Sequence, residues 1–389
     1  MKIVRIVSIL AFLGMTDCTG SLGGLWTGSG SNTNSSSATP KMSQYDVNKY
    51  AVNKTVCNPL GGGGSSSNPS QGLQASLWYL QSDQPAYYNV GDMISNGHAS
   101  SESLFFNSLF VPTRLFSAGF PLQSGGSIAD DQGNELIEYF ALRFETVLQL
   151  GPNDVEGDYQ LGLLADDGAN WSLASDNQST DYTVMVNDDG THPTQMGCGS
   201  VVHMTASTKL NMRIDYYQGP RYEIALVPIW RLVNSSQPPS ESLCNQNGNT
   251  LFFDPNNNSA TEAAYTKLLG EGWYPLTSAN YSLQSQASYN PCTTGTTPVI
   301  SNLAILNNTD NDGFFYLTWT TDIAATDQAL ITDVASGVQT VTTSDNILRT
   351  SHKVQLTGVL VNHSYTVQAV SVSADLGRTV SSSLPLTFN

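Results

Sequence analysis

Three consecutive residues, Asp166-Asp167-Gly168, are the part of this sequence best suited to chemistry. Adjacent carboxylates at a strand end repel each other unless a cation neutralises them. Hard cations such as calcium prefer several oxygen ligands, so Asp166 and Asp167 are candidate metal ligands. Gly168 permits a positive φ or a close backbone approach. The same three residues also make a good turn with no ligand at all, because Asp favours Asx-turns and Gly follows easily. Trp171 lies three residues beyond the glycine and reads either as a face for a sugar ring or as a core residue. His192, in Asp189-Gly190-Thr191-His192-Pro193, reads as a solvated loop histidine. The pairs Asp130-Asp131 and Asp188-Asp189 do not flank a cleft as a glycosidase requires. No HExxH, GxSxG or phosphate-cradling glycine loop is present, so the chain does not read as an enzyme.

The elements that position these residues are strands. Between residues 71 and 232, short apolar or alternating runs rich in β-branched and aromatic residues predict strands at Leu73–Leu80, Ile137–Leu150, Tyr159–Ala165, Asn170–Ala174, Tyr182–Val186, Ser200–Ala206, Leu210–Tyr217 and Tyr222–Leu232. Turn signals at Gly157-Asp158, Asp166-Asp167-Gly168, Asp188-Asp189-Gly190 and Gln218-Gly219-Pro220 separate them. Gly91–Gln132 reads as irregular, with Leu104–Val111 packed on the sheets. Many short strands with regular turns predict a β-sandwich. A second sandwich is expected over 298–389, with strands at Phe315–Trp319, Lys353–Leu356 and Ser364–Ser373. Residues 233–297 between them read as a small disulfide-closed connector with one helix at Thr261–Leu269. The fold class is therefore all-β, two sandwiches and a connector.

The beginning of the chain predicts export. Residues 1–18 run from a basic head through an apolar stretch to Cys18, too short to span a bilayer. This order resembles a bacterial lipoprotein signal, which implies lipid on Cys18 and a surface-displayed chain. A general signal peptidase cutting near an ordinary Cys18 is the other reading, since Asp17 and Met15 depart from the lipoprotein pattern. Residues 19–70 are rich in Gly, Ser and Asn and read as a disordered tether, with Tyr45–Cys57 as an island that a disulfide would pin. Cys57, Cys198, Cys244 and Cys292 remain, an even number that suits an oxidising compartment. Sequence alone does not choose among their three pairings; the short segment between Cys244 and Cys292 favours that pair, leaving Cys57 with Cys198. A formal net charge of -17, with 12% charged residues, repels phosphate backbones and disfavours nucleic acid.

Several separated motifs carry a family resemblance. Gly72-Leu73-x-Ala75, Glu138-Tyr139-Phe140-Ala141-Leu142-Arg143-Phe144, Glu156-Gly157-x-Tyr159-x-Leu161 with Ala165-Asp166-Asp167-Gly168-Ala169, and Ile214-x-Tyr216-Tyr217 with Ala225 and Trp230 resemble, in order, the protective-antigen-type (PA-fourteen) domain. That resemblance implies a β-sandwich found in bacterial toxins, glycosidases and yeast flocculins. In its lectin members the two aspartates are joined by a cis peptide and hold calcium, which takes two sugar hydroxyls as ligands. A further Asn and backbone carbonyls complete the set there. The candidates for those roles here are Asn187, Asp188 and Asp189, or the turn at Gln218-Gly219. Trp319, Leu356-Thr357-Gly358-Val359 with Tyr365-x-Val367-x-Ala369, and Gly377 resemble fibronectin type III, which implies a Tyr365 hydroxyl bonded back to the chain.

These readings predict a calcium-assisted, glycan-binding cell-surface adhesin. Two alternatives remain: a structural or protein-binding surface module without a glycan site, and an accessory domain of a secreted hydrolase. The oligomeric state is not legible.

Overall fold

The computed structural model describes residues 40–42, 45–60, 68, 70–122, 126–233, 240–284, 290–292, 295–307 and 314–388. The signal segment, Cys18 and the Gly61–Ser67 run lie outside them. Among the described residues no helix is long and apolar enough to cross a membrane.

The first sandwich pairs a nine-stranded sheet with a five-stranded one. In the larger sheet, Leu73–Tyr79, Phe140–Leu148, Leu210–Gln218, Ala169–Leu173 and Thr183–Asp188 lie side by side. Leu73–Tyr79 shows the reason in its side chains: Leu73, Ala75, Leu77 and Tyr79 are buried and the residues between them are not. Period-two burial turns one face of a strand to the core. That core holds Phe106, Phe120, Phe140, Phe144, Tyr216 and Trp171. The smaller sheet runs Gln195–Met204, Gly157–Asp166, Glu223–Val233, with Val111–Leu115 and Tyr274–Pro275 both pairing the last of these.

Residues 240–284 correct the expected connector. Gly157–Asp166 and Glu223–Val233 are buried on both faces, so their outer side also needs a cover. Phe252, Phe253, Tyr265, Leu268 and Trp273 supply it, packing on Leu164, Val227 and Ile229. The helix, Ala263–Gly270, lies in this cover. Tyr281–Ser282 then pairs the start-to-end neighbour Phe140–Leu148, so the segment is part of the first sandwich rather than a link between two. The expected irregular stretch likewise contains a helix, Val90–Asn96, and strands Ser103–Phe106 and Val111–Leu115. Each is too short to show a period in sequence.

The expected cysteine pairing is overturned. The bonds are Cys57–Cys292 and Cys198–Cys244. Cys198 stands on a strand to which the Leu243–Gln246 turn is fastened by Asn245 N to Met196 O at 2.8 Å and Met196 N to Gln246 O at 3.1 Å. Proximity in space, not the short 244–292 spacing, made the choice. Cys57 ends a short strand parallel to Ser103–Phe106. The island is thus pinned as expected, and Tyr45, Val47 and Tyr50 pack between Phe105, Leu283 and Cys292 on one side and Val372 and Leu376 on the other.

The second sandwich sets three strands, Ile300–Asn307, Phe315–Ala325 and Arg349–Gln355, against five that include Gln328–Asp333 and His363–Val372. Leu317, Trp319, Ile331, Tyr365 and Val367 fill its core. Trp319 Nε1 donates to Ser371 Oγ at 2.9 Å, and the Tyr365 hydroxyl accepts from Leu360 N at 2.9 Å, the back-bond expected of that tyrosine. The expectation missed Ile300–Asn307 and Gln328–Asp333.

Candidate functional site

Strand direction gathers the candidate residues at one end of the first sandwich. Gly157–Asp166, Thr183–Asp188 and Leu210–Gln218 finish there, while Ala169–Leu173, Gln195–Met204 and Glu223–Val233 begin there. Five connections therefore meet: the segments around 87–90, 138–139, 167–168, 189–194 and 219–222.

The acidic turn is the centre of this end. The Asp166–Asp167 peptide is cis, and both side chains are only 3% exposed. Asp166 Oδ2 accepts from Thr194 Oγ1 at 3.3 Å, and Thr194 in turn lies 2.9 Å from the Thr113 hydroxyl. Asp167 accepts two backbone amides, from His192 at 3.0 Å and Gly219 at 2.8 Å. The Tyr216 hydroxyl donates to the Asp166 carbonyl at 2.6 Å. Burial, with the Asp167 and Glu223 carboxylates nearby, pushes Asp166 up to about 8. Burial pushes Asp167 up to about 6 although two amides favour its charged form.

Gly168 earns its place by close approach. A Cβ there would lie 2.7 Å from the Gly190 carbonyl oxygen and 2.9 Å from Asp189 Oδ1, so the 189–190 turn covers it directly. Asp189 Oδ1 also accepts from Val90 N at 2.9 Å, which fastens the Val90–Asn96 helix to the same end.

The other predicted residues divide. Asn187 is exposed at the edge of this end, its Oδ1 accepting from Asp189 N at 3.2 Å. Asp188 is buried, pushed up to about 6 by that burial, and its Oδ2 has no hydrogen-bond partner. Two candidates are corrected. Trp171 is fully buried in the core, so it is not a stacking face for a ligand. Its side chain points inward with those of Ala169 and Leu173, two residues to either side on the same face. Gln218 is also fully buried, its Oε1 lying 2.6 Å from the Tyr216 hydroxyl and its Nε2 donating to the Glu223 carbonyl, which leaves no side-chain group for a ligand. His192 stays partly exposed in its loop, its ring nitrogens 3.0 Å from Pro193 O and 3.1 Å from Asp188 O.

Sequence reasoning missed Thr194, Glu223 and a rim of tyrosines. Tyr88 is 55% exposed and Tyr222 69% exposed. Tyr139 holds a φ of 52°, a left-handed conformation that bulky residues avoid. Burial, then Tyr88, Glu138 and Asp167, raise its hydroxyl, which puts these groups in one neighbourhood. The expected strands take in Tyr139 and Tyr222, whereas each sits one residue before a strand of this end.

The donor chemistry suits a hard cation, since the groups are carboxylate and hydroxyl oxygens. Their number falls short. Among the described residues no group of three or more His, Cys, Asp or Glu can hold a metal. A cation here would draw further oxygens from backbone carbonyls, water or a ligand.

No family model matches the chain, and no curated protein does. Among solved structures it is similar to a PA14 sugar-binding domain from an RTX adhesin, at 15% identity over 55% of this chain and 99% of that one, with a TM-score of 0.34. It is similar to the A domain of Epithelial Adhesin 6 from Candida glabrata, solved in complex with Galβ1-3GlcNAc, at 13% identity over 46% and 88%, with a TM-score of 0.28. An anti-sigma factor domain-containing protein from Clostridium clariflavum matches at 9% identity over 82% and 100%, with a TM-score of 0.28. None of the three is described as an enzyme.

Proposed function

We propose that this protein is a cell-surface adhesin whose first sandwich recognises a glycan at the acidic end, with calcium held by Asp166 and Asp167. The observation that carries this reading is the buried Asp166–Asp167 carboxylate pair set beside a rim of exposed aromatic rings. Two neighbouring carboxylates out of water need a proton or a cation. A calcium ion would neutralise both and offer open coordination positions to sugar hydroxyls. Tyr88 and Tyr222 supply flat faces of the kind that pack against sugar rings. Asn187 contributes an exposed amide at the same edge. The second sandwich acts as a fibronectin type III-like spacer, and lipid on Cys18 anchors the chain.

A structural or protein-binding module without a glycan site is the second reading. Near-complete burial of both aspartates and the two amides already on Asp167 favour it. Glycan-array retention with calcium and with chelator separates the two. The adhesin reading expects retention that is lost on chelation and in Asp166→Asn/Asp167→Asn. Retention unchanged by both treatments, or none on any glycan, leaves the module reading.

A further inference from the structure

Arg114 has no ion pair among the described residues. The other arginines of the first sandwich each meet a carboxylate: Arg143 on Asp215, Arg213 on Glu145, Arg221 on Glu138 and Arg231 on Glu241. In the second, Arg349 meets Asp327 and Asp345, while Arg378 bonds the Tyr45 hydroxyl at 3.4 Å and its Nε also lacks an acceptor. Arg114 makes one hydrogen bond, from Nη2 to the Ala118 carbonyl at 3.1 Å. Its Nε is buried without any acceptor. An uncompensated, partly desolvated charge is costly, and a protein of net charge -17 has carboxylates in plenty to answer it.

The groove that Arg114 lines explains what the charge faces. It measures about 430 Å³ and is walled by Phe110, Pro112, Leu115, Pro121 and Pro255. Phe110 and Leu115 are each 40% exposed. Among the described residues no Asp or Glu lines it, whereas Asn258 and Ser259 do. Ser259 is held there by its hydroxyl, which donates to the Thr113 carbonyl at 2.7 Å. Arg114 sits on Val111–Leu115, a strand that pairs only Glu223–Val233. The groove therefore lies on the flank of the sandwich, one strand beyond the acidic turn, with Thr113 joined to Asp166 through Thr194.

We infer that this groove binds the carboxylate of an acidic sugar, a uronic or sialic acid unit, through Arg114. A planar guanidinium matches a carboxylate, and the donors left on Arg114 are those its internal bond does not use. Proline and phenylalanine faces suit the apolar face of a sugar ring, and Asn258 offers a partner for a hydroxyl. The absence of an acidic lining residue leaves nothing to hold an ammonium group, which disfavours a free amino acid. Neither Asp166 nor Asp167 lines the groove.

Calorimetric titration of the full chain with glucuronate, N-acetylneuraminate, glucose and propionate tests it. The two acidic sugars should bind, with glucose and propionate much weaker. Arg114→Gln should weaken the acidic sugars roughly tenfold or more, the scale of a lost charge-assisted hydrogen bond, and Arg114→Lys should lose less. Leu115→Glu, at an exposed wall position, should weaken them as well by placing a carboxylate in the groove, and it keeps the test open if Arg114→Gln fails to fold. Removal of calcium with a chelator should leave this binding intact. Equal binding of glucose and glucuronate, or acidic-sugar binding indifferent to both Arg114→Gln and Leu115→Glu, overturns the site. Propionate binding as tight as glucuronate overturns its sugar specificity.

Discussion

In the second sandwich, the large buried polar side chains close on one another: Trp319 on Ser371, Tyr365 on the Leu360 amide, and Thr321 on His352 at 2.9 Å. At the acidic end of the first, the Asp166 and Asp167 carboxylates are buried side by side, and the buried Asp188 nearby has its Oδ2 unanswered. The same class of fold thus carries two kinds of interior. One uses polar groups to fix its own geometry: its buried His352 is a base held low by burial, and its buried Asp327 is answered by Arg349. The other confines acid groups that are uncomfortable when charged, which is the condition that invites a proton, a cation or a ligand.

The largest effect should come from the interior that serves only the fold. Trp319→Ala removes a fully buried ring and its hydrogen bond, at a cost of about 3–5 kcal/mol. Thermal unfolding should register that loss while glycan retention by the first sandwich survives at low temperature. Loss of retention in parallel with unfolding would erase the division between the two interiors.

The two interiors should also answer pH with opposite signs. Asp166 is raised to about 8 from 3.8, so the native state binds more protons than the unfolded chain between those values. Stability from this group is present below pH 4 and lost as pH rises towards 8. Calcium should reduce that loss, and Asp166→Asn should flatten it; unfolding temperatures measured with calcium and with chelator report both. A slope that persists unchanged in Asp166→Asn would falsify the contrast.

His352 runs the other way. Burial and the Arg349 charge hold it down to about 4 from 6.5, so the unfolded chain binds the extra proton. Its contribution is complete above pH 6.5 and disappears as pH falls through 4, about 2 kcal/mol. His352→Gln should remove this acid-side loss from the melting curve of the second sandwich and leave the alkaline-side loss untouched.

The smallest effect on stability belongs to the rim. Tyr222→Ala at an exposed position should change stability by no more than about 0.5 kcal/mol. Its signature is retention on glycan arrays, which should fall. Unchanged retention removes Tyr222 from the recognition surface.

Much of the fold was written locally. Alternation in Leu73–Tyr79 and the turn residues at Gly157-Asp158 and Asp188-Asp189-Gly190 located the strands, because a half-buried strand repeats every two residues and a turn needs particular side chains. The Asp-Asp-Gly turn was visible for the same reason. What lay beyond local pattern went astray. Residues 240–284 looked like a linker because the faces they cover, on Leu164, Val227 and Ile229, belong to strands distant in sequence. Trp171 looked available because nothing in its neighbours reveals which side of a sheet will be inside. The rim tyrosines, from segments around 88, 139 and 222, share no sequence proximity whatever.

The sequence by itself determined that the chain is built of strands and that two carboxylates would stand side by side at residues 166 and 167. Only the tertiary structure decided that Cys57 meets Cys292 across 235 residues and that Thr194 and the amides of His192 and Gly219 close around those carboxylates. The physical reason is range. Side-chain alternation and turn chemistry act over a few residues, while burial and charge depend on every segment that packs nearby, however far along the chain it lies.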